Sequence, residues 1–265
     1  VVDIRLPLAG CIELEEKLRV AYGLKYVSVV PAVDDDEQQR RLIGDAAGIM
    51  LDDLIADGQC ISVGWGRTLS AAIKRLRPRT LRDSSVVSLM GGLMRASETN
   101  SFDVSTELAK TLGSDCFFVT APVYCPSVES REILLTHSGV NEVMARARKS
   151  DLAIVSCGDL TPGTKMTSLS SIGSVRDRLP ELKKMGAIGE ILGTFLDQDG
   201  RPVDHMLNKC VIALPPEDLK SIPHSILISG GAYKATIIQA ILTGGYVNCL
   251  VTDEVVAQRL VDRKG

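Results

Sequence analysis

The 265-residue chain is poor in the residues that build most catalytic and metal centres, with three histidines, one tryptophan, and seven cysteines that include no CxxC pair. No histidine cluster accompanies the cysteines, so neither zinc-ligand spacing nor a disulfide framework is expected. Cys11, Cys60, Cys116, Cys125, Cys157, Cys210 and Cys249 read instead as reduced thiols. Most lie in apolar runs such as Cys116-Phe117-Phe118-Val119 and Cys249-Leu250-Val251, where a thiol behaves as a small hydrophobe. There is also no excess of positive charge. A formal net charge of −3 and a pI near 5.7 leave no nucleic-acid surface within this chain, because phosphate binding draws on clustered Lys and Arg. No apolar run approaches the roughly 18 residues of a membrane span, and the first residues lack the basic start and apolar stretch of a signal peptide. A cytoplasmic protein without membrane contact is expected. No low-complexity tract or internal repeat stands out. There is no GxSxG elbow and no His beside a Cys, and His137, His205 and His224 sit in unrelated contexts, so no catalytic residue, metal or cofactor is assigned.

What the sequence does have is a hydrophobic share of 45%, enough over this length to bury a full core. Short Val- and Ile-rich runs alternate with amphipathic segments, which predicts an α/β fold with a mostly parallel, Rossmann-like sheet flanked by helices. The expected strands are Tyr26 to Val30, Cys60 to Val63, Ser85 to Met90, Cys116 to Thr120, Leu152 to Ser156, Ile226 to Ser229 and Asn248 to Val251. Each is compact enough to be buried on both faces. Leu42, Ala46, Ile49, Met50 and Leu54 recur at helical spacing, as do Leu69, Ala72, Ile73 and Leu76. Gln198-Asp199-Gly200 marks a turn between two strands, so Ile188 to Val211 is expected as a small inserted lobe. Ile12 to Ala21 forms an amphipathic stretch ending at Gly23, a linking helix over about 12–22. The chain opens without an initiator Met, and a domain upstream of Val1 is expected. Asp34-Asp35-Asp36-Glu37 reads as a solvated turn favouring the N-terminus of the next helix.

The sharpest local signal is Ser62-Val63-Gly64-Trp65-Gly66-Arg67-Thr68-Leu69, a buried strand entering a glycine-flanked loop that opens directly into a helix. Free N–H groups and the positive end of the helix dipole favour an anion there. Glycine permits close approach, and Arg67 and Thr68 add hydrogen-bond donors. The loop is neither a Walker loop nor GxGxxG. The plainer reading is a tight strand-to-helix turn with Thr68 as cap and Trp65 as packing. Gly91-Gly92 and Gly230-Gly231 follow two further strands, so three glycine-rich strand ends share one rim, where open parallel sheets bind ligands. Lys234, Asp159 and Glu190 fall on the same rim, and Asn100, with Glu98, follows the Gly91-Gly92 loop. Carboxylates suit polyols because each accepts two or more O–H bonds. Each of these residues also has a bland explanation as a cap or a solvated charge. The same residues leave acid–base work by Asp159 and Glu190, or a Schiff base on Lys234, open.

Taken together, GWGRT at 64–68, MGGL at 90–93, CGD at 157–159, GEILGTFLDQDG at 189–200 and the block SGGAYKATIIQAILTGGYVNCLVTDEVVAQRL at 229–260 resemble the SorC family of sugar-responsive transcription regulators. Their order and spacing match over nearly the whole chain. The resemblance implies a fold like the ribose-5-phosphate isomerase, glucosamine-6-phosphate deaminase and CoA-transferase superfamily, an upstream helix-turn-helix that reads operator DNA, and assembly into homo-dimers or tetramers. It further implies that the loop Gly64 to Leu69 holds the phosphate of a sugar-phosphate or polyol effector, with Asn100, Glu190 and Lys234 lining the sugar site. Gly91, Gly92 and Asp159 join that group from the rim argument. The sequence departs from some relatives at Met90, where sensors of doubly phosphorylated sugars carry an Arg. That favours a monophosphate or an unphosphorylated polyol, with Arg95 a substitute only if its loop folds back. The competing expectations are a sugar-phosphate isomerase, deaminase or lactonase using Asp159 or Glu190 as base, and a purely structural oligomerisation module.

Overall fold

The computed structural model describes residues 5–93, 100–160 and 173–264. Its centre is a seven-stranded, all-parallel sheet of β1 (Tyr26–Val30), β2 (Cys60–Val63), β3 (Ser85–Ser88), β4 (Asp115–Phe117), β5 (Leu152–Val155), β9 (His224–Ile228) and β10 (Cys249–Asp253). The strand order is β1-β10-β9-β5-β2-β3-β4. From β2 the chain winds outward through β3 and β4, whereas β5, β9 and β10 extend the other way. The order therefore reverses at β2 and β5, and a crevice opens beyond their carboxyl ends.

All seven expected strands are present, but three expectations about them need correction. β3 ends at Ser88, two residues early, because Met90 leaves the sheet for an isolated bridge to Ala213. β4 is shifted to Asp115–Phe117, and the Val119 N–H is taken by the Ser88 hydroxyl at 3.0 Å instead of a strand neighbour. The two edge strands are not buried on both faces: Tyr26 in β1 is 47% exposed and Asp115 in β4 is exposed. A short apolar run reports burial of a strand's middle and does not reveal which strand lies at an edge.

The expected lobe is a three-stranded antiparallel sheet of β6 (Cys157–Asp159), β7 (Gly189–Ile191) and β8 (Thr194–Leu196). The turn at 198–200 leads only to a single bridge between Leu196 and Pro202. The lobe's other strand is β6, read from sequence as a loop. Its three residues follow β5 after one break at Ser156, so the apolar run carries straight from one sheet into the other.

Helices cover the sheet. α1 (Arg5–Tyr22) buries Cys11, Leu14 and Leu18 and packs on β1 and on α12 (Glu254–Asp262), while Ile12 remains 64% exposed. It is longer than the expected linking helix and is part of the domain's body. α2 (Asp36–Leu54) starts as the acidic turn suggested, with the Asp35 carboxylate accepting the Gln38 N–H at 2.7 Å. It crosses α3 (Arg67–Arg75) at close range, because Gly44 and Gly48 present no side chain. A Cβ on Gly44 would stand 2.6 Å from the Ala71 Cβ. This contact carries the N-terminal end of α2 to the mouth of the crevice. No helix among the described residues is long and apolar enough to cross a membrane.

Candidate functional site

At the switch point lies a cleft open to solvent, lined from β2, β5, β9 and the lobe. One half is built around the start of α3. Gly66 is its N-cap at φ +133°, a conformation that L side chains rarely adopt, and no side chain caps the helix. The expectation of Thr68 as a cap is therefore not met. The first intrahelical donor is Ser70, whose N–H reaches the Gly66 carbonyl at 3.0 Å, so the earlier N–H groups face outward with the positive end of the helix dipole.

Two guanidiniums flank this end, Arg67 and, from α2, Arg40. Neither has a hydrogen bond or ion pair among the described residues. Burial first, and then the Arg67 charge, push the Arg40 pKa below its ordinary value. The nearby Asp36 and Glu37 charges offset this only in part, so two repelling cations are held together at the helix terminus. Thr68 is 7% exposed and lines the cleft.

The other half is carboxylate and amine. Asp159 on β6 is 5% exposed and Glu190 on β7 is 4% exposed. The Glu190 carboxylate accepts the Gly193 N–H at 2.9 Å. Burial nevertheless pushes its pKa to about 7, against the opposing pull of the main-chain N–H groups and of Lys234. Near neutral pH this carboxyl can therefore donate as well as accept a hydrogen bond. Lys234 sits in the 3-10 turn Ala232–Lys234 after β9, and its ammonium donates to the Cys157 carbonyl at 2.9 Å and the Ser229 hydroxyl at 3.3 Å. Tyr233 completes the mouth, with its phenol pKa raised chiefly by burial and next by the Asp36 charge.

The fold thus brings together Gly66, Arg67, Thr68, Asp159, Glu190 and Lys234 of the residues expected from sequence. It places the rest elsewhere. Gly64 donates to the Ile154 carbonyl at 2.9 Å and packs beneath Leu192, and the Leu69 side chain is fully buried in the core. Gly91 and Gly92 do not line this cleft; they allow close approach to Pro122 and to the Phe102 ring. Asn100, also outside the lining, stands at the N-cap position of α4 (Ser101–Leu112) without a side-chain cap bond and instead ties both main-chain groups of Leu93, accepting its N–H at 3.1 Å and donating to its carbonyl at 3.3 Å. Met90 is fully buried. Glu98 and Arg95 lie outside the described residues. Trp65 does two jobs, packing in the core at 6% exposure and walling the cleft.

Sequence reasoning missed Asp36, Arg40, Tyr233 and Ser156, which also line the cleft. The first two belong to a charged stretch that reads as solvated helix, and only the α2–α3 crossing brings them to the site. Ser156 and Tyr233 were each adjacent to a residue or glycine pair already singled out.

An uncapped helix terminus, two arginines and buried carboxylates thus share one cleft at the switch point of a parallel sheet, a class of site suited to a small polar ligand. Comparison with known proteins gives that class a family. Residues 6–262 match the family profile described as "Putative sugar-binding domain". The chain is 30% identical over 264 residues to the erythritol catabolism regulatory protein EryD of Brucella abortus, covering 98% of this chain and 82% of that protein. It is 31% identical over 265 residues to the transcriptional regulator LsrR of Klebsiella pneumoniae, covering 98% and 79%. The full-length sorbitol operon regulator SorC from Klebsiella pneumoniae shares the fold with a TM-score of 0.86 at 22% identity, over 98% of this chain and 83% of that one. The chain belongs to the SorC-type family of sugar-binding regulator domains.

Proposed function

We propose that this cleft binds a phosphorylated sugar or polyol as an effector, without transforming it, and that binding changes the operator affinity of a cytoplasmic regulator. The phosphate sits on the outward N–H groups of α3, between Arg40 and Arg67, with the Thr68 hydroxyl as a further donor. The sugar hydroxyls meet Asp159, Glu190 and Lys234. The single observation that carries this reading is the pair of guanidiniums held at an uncapped helix terminus, neither of them engaged in an ion pair or hydrogen bond among the described residues. In such a place an anion removes mutual repulsion and gains charge-assisted hydrogen bonds together.

The chain spans 82% and 79% of the two curated relatives' lengths, which leaves room in such proteins for the expected helix-turn-helix. Operator binding belongs to that upstream domain, and the expected dimer or tetramer supplies the element whose arrangement the effector shifts. A ligand moves such an equilibrium only through its different affinity for the two arrangements. Here the difference arises because the cleft is walled by separate units, α2 on one side and the antiparallel lobe on the other, which an anion-bearing polyol draws together. Gly91, Gly92 and Asn100 then act from behind, fixing residues 89–93 after β3.

The relatives' names speak of erythritol and sorbitol, so linear polyols and their phosphates head the panel to be tested. Thermal stabilisation by sugar phosphates, absent with the matching unphosphorylated sugars and abolished by Arg67→Ala together with Thr68→Ala, is the expected result. Equal stabilisation of the double variant would refute the phosphate assignment. One observation favours catalysis as a second reading: Glu190, with a pKa near 7, has the acidity of a general base. NMR of candidate sugar phosphates incubated with the protein separates the readings, since a sensor returns its ligand unchanged.

A further inference from the structure

Two cysteines far apart in sequence, Cys125 and Cys210, meet outside the cleft. Tyr124 and Val211 form an antiparallel bridge, flanked by the Cys125 N–H on the Cys210 carbonyl at 2.9 Å and the Ile212 N–H on the Val123 carbonyl at 2.8 Å. Cys125 therefore stands directly opposite Cys210, the last residue of α9 (Met206–Cys210). Residues opposed across antiparallel segments have Cα atoms roughly 4.5–5.5 Å apart, within the roughly 4.4–6.8 Å that a disulfide spans. Both cysteines are free thiols. They are close enough that, after burial, Cys210 is the next cause disfavouring the Cys125 thiolate. Burial raises the pKa of both thiols, and the Arg131 guanidinium, whose Nε–H donates to the Val211 carbonyl at 2.8 Å, opposes that rise at both positions. Neither thiol is sealed in the centre of the sheet. Cys125 stands three residues before α5 (Val128–Thr136), a helix with no buried residue, and is 6% exposed against 2% for Cys210.

We propose that Cys125 and Cys210 form a modification site, a dithiol that closes to an intramolecular disulfide by exchange with a small-molecule disulfide such as oxidised glutathione. The Cys125 thiol loses its proton to solvent, and its sulfur attacks one glutathione sulfur. The glutathione S–S bond breaks, and one glutathione leaves as thiol. Cys210, likewise deprotonated, then attacks the Cys125 sulfur and releases the second glutathione thiol. One disulfide is consumed and one formed, the protein losing the two electrons and two protons that glutathione gains. The new bond would pin the segment after β4 to the end of α9. The neighbouring Tyr124 hydroxyl already donates to the Gly193 carbonyl at 2.6 Å, beside the N–H that holds Glu190.

The test needs no effector, so it stands apart from the proposed function. The folded chain is incubated with oxidised glutathione at pH 8, then denatured and alkylated. The expected result is alkylation at five of the seven cysteines, the seven less these two, with proteolysis yielding one cross-linked pair that contains Cys125 and Cys210. Dithiothreitol should restore all seven. In Cys210→Ser the reaction should stop at a mixed disulfide on Cys125. If that variant fails to fold, the peptide map of the unaltered protein decides. Seven alkylatable thiols after prolonged exposure, or a cross-link joining another pair, would overturn the proposal.

Discussion

Glu190→Gln removes an ionisable group from the buried wall of the cleft while keeping its shape and its acceptor for the Gly193 N–H. The carboxyl has an ordinary pKa of 4.5 and one of about 7 in the folded protein, the first cause being burial. A difference of that size corresponds to about 3 kcal/mol. Because the folded state holds the proton more tightly than the unfolded chain, this group's favourable contribution is complete below pH 4.5 and is lost as pH rises to about 7. Above that, the folded protein carries the full cost of a buried negative charge. Glutamine carries no such cost at any pH, so the variant should be more stable than the parent by up to about 3 kcal/mol at pH 8. By pH 5 the advantage should shrink to below about 1 kcal/mol. Urea denaturation of both proteins at the two pH values, without ligand, isolates the effect, since all other carboxylates are shared. A stability difference that does not change with pH would show that the charge of Glu190 is compensated in the folded state, and the reasoning about its burial would fail.

Three further outcomes follow from the packing and the charges. Arg40→Ala should lower the affinity for sugar phosphates by about tenfold or more, as loss of a charge-assisted hydrogen bond implies. It should leave the unfolding midpoint without ligand unchanged or raised, because repulsion with Arg67 is relieved; calorimetric titration and a thermal melt check the two parts. Gly44→Ala should destabilise by about 1–3 kcal/mol, read as a lower urea midpoint, because the added Cβ would stand 2.6 Å from the Ala71 Cβ and 3.0 Å from its carbonyl carbon. Better intrinsic helix propensity offsets only part of that cost, about 1 kcal/mol. Tyr246→Phe should cost about 1 kcal/mol, since the buried hydroxyl donates to the Gly200 carbonyl at 2.6 Å; an unchanged denaturation midpoint would contradict it.

The sheet was readable from sequence because its strands are short apolar runs separated by helical periodicity. Where the reading slipped, the cause was tertiary. Whether Tyr26 or Asp115 lies at an edge depends on the order in which strands assemble, and Asp159 joined a strand because Glu190 and its neighbours came back to pair with it. The anion loop was legible for a local reason: Gly66, Arg67 and Thr68 are contiguous, so strand, turn and helix terminus appear in one stretch. Lys234 and the two acids were legible only as residues near strand ends. Gly91, Gly92 and Asn100 show the limit of that approach, since a strand end can face the rim and still use its glycines for packing against Pro122 and Phe102. Arg40 is the opposite case. Nothing near it in sequence distinguishes it from a solvated helix charge, and it reaches the site only because Gly44 and Gly48 let two helices close on each other.

The most direct measurement is a crystal structure of the domain soaked with the sugar phosphate that stabilises it most. Phosphate oxygens should lie within hydrogen-bond distance of the main-chain N–H groups at the start of α3, with the Arg40 and Arg67 guanidiniums turned onto them and hydroxyls reaching Asp159, Glu190 and Lys234. A phosphate bound anywhere else, with the α3 terminus left to solvent, would contradict the account.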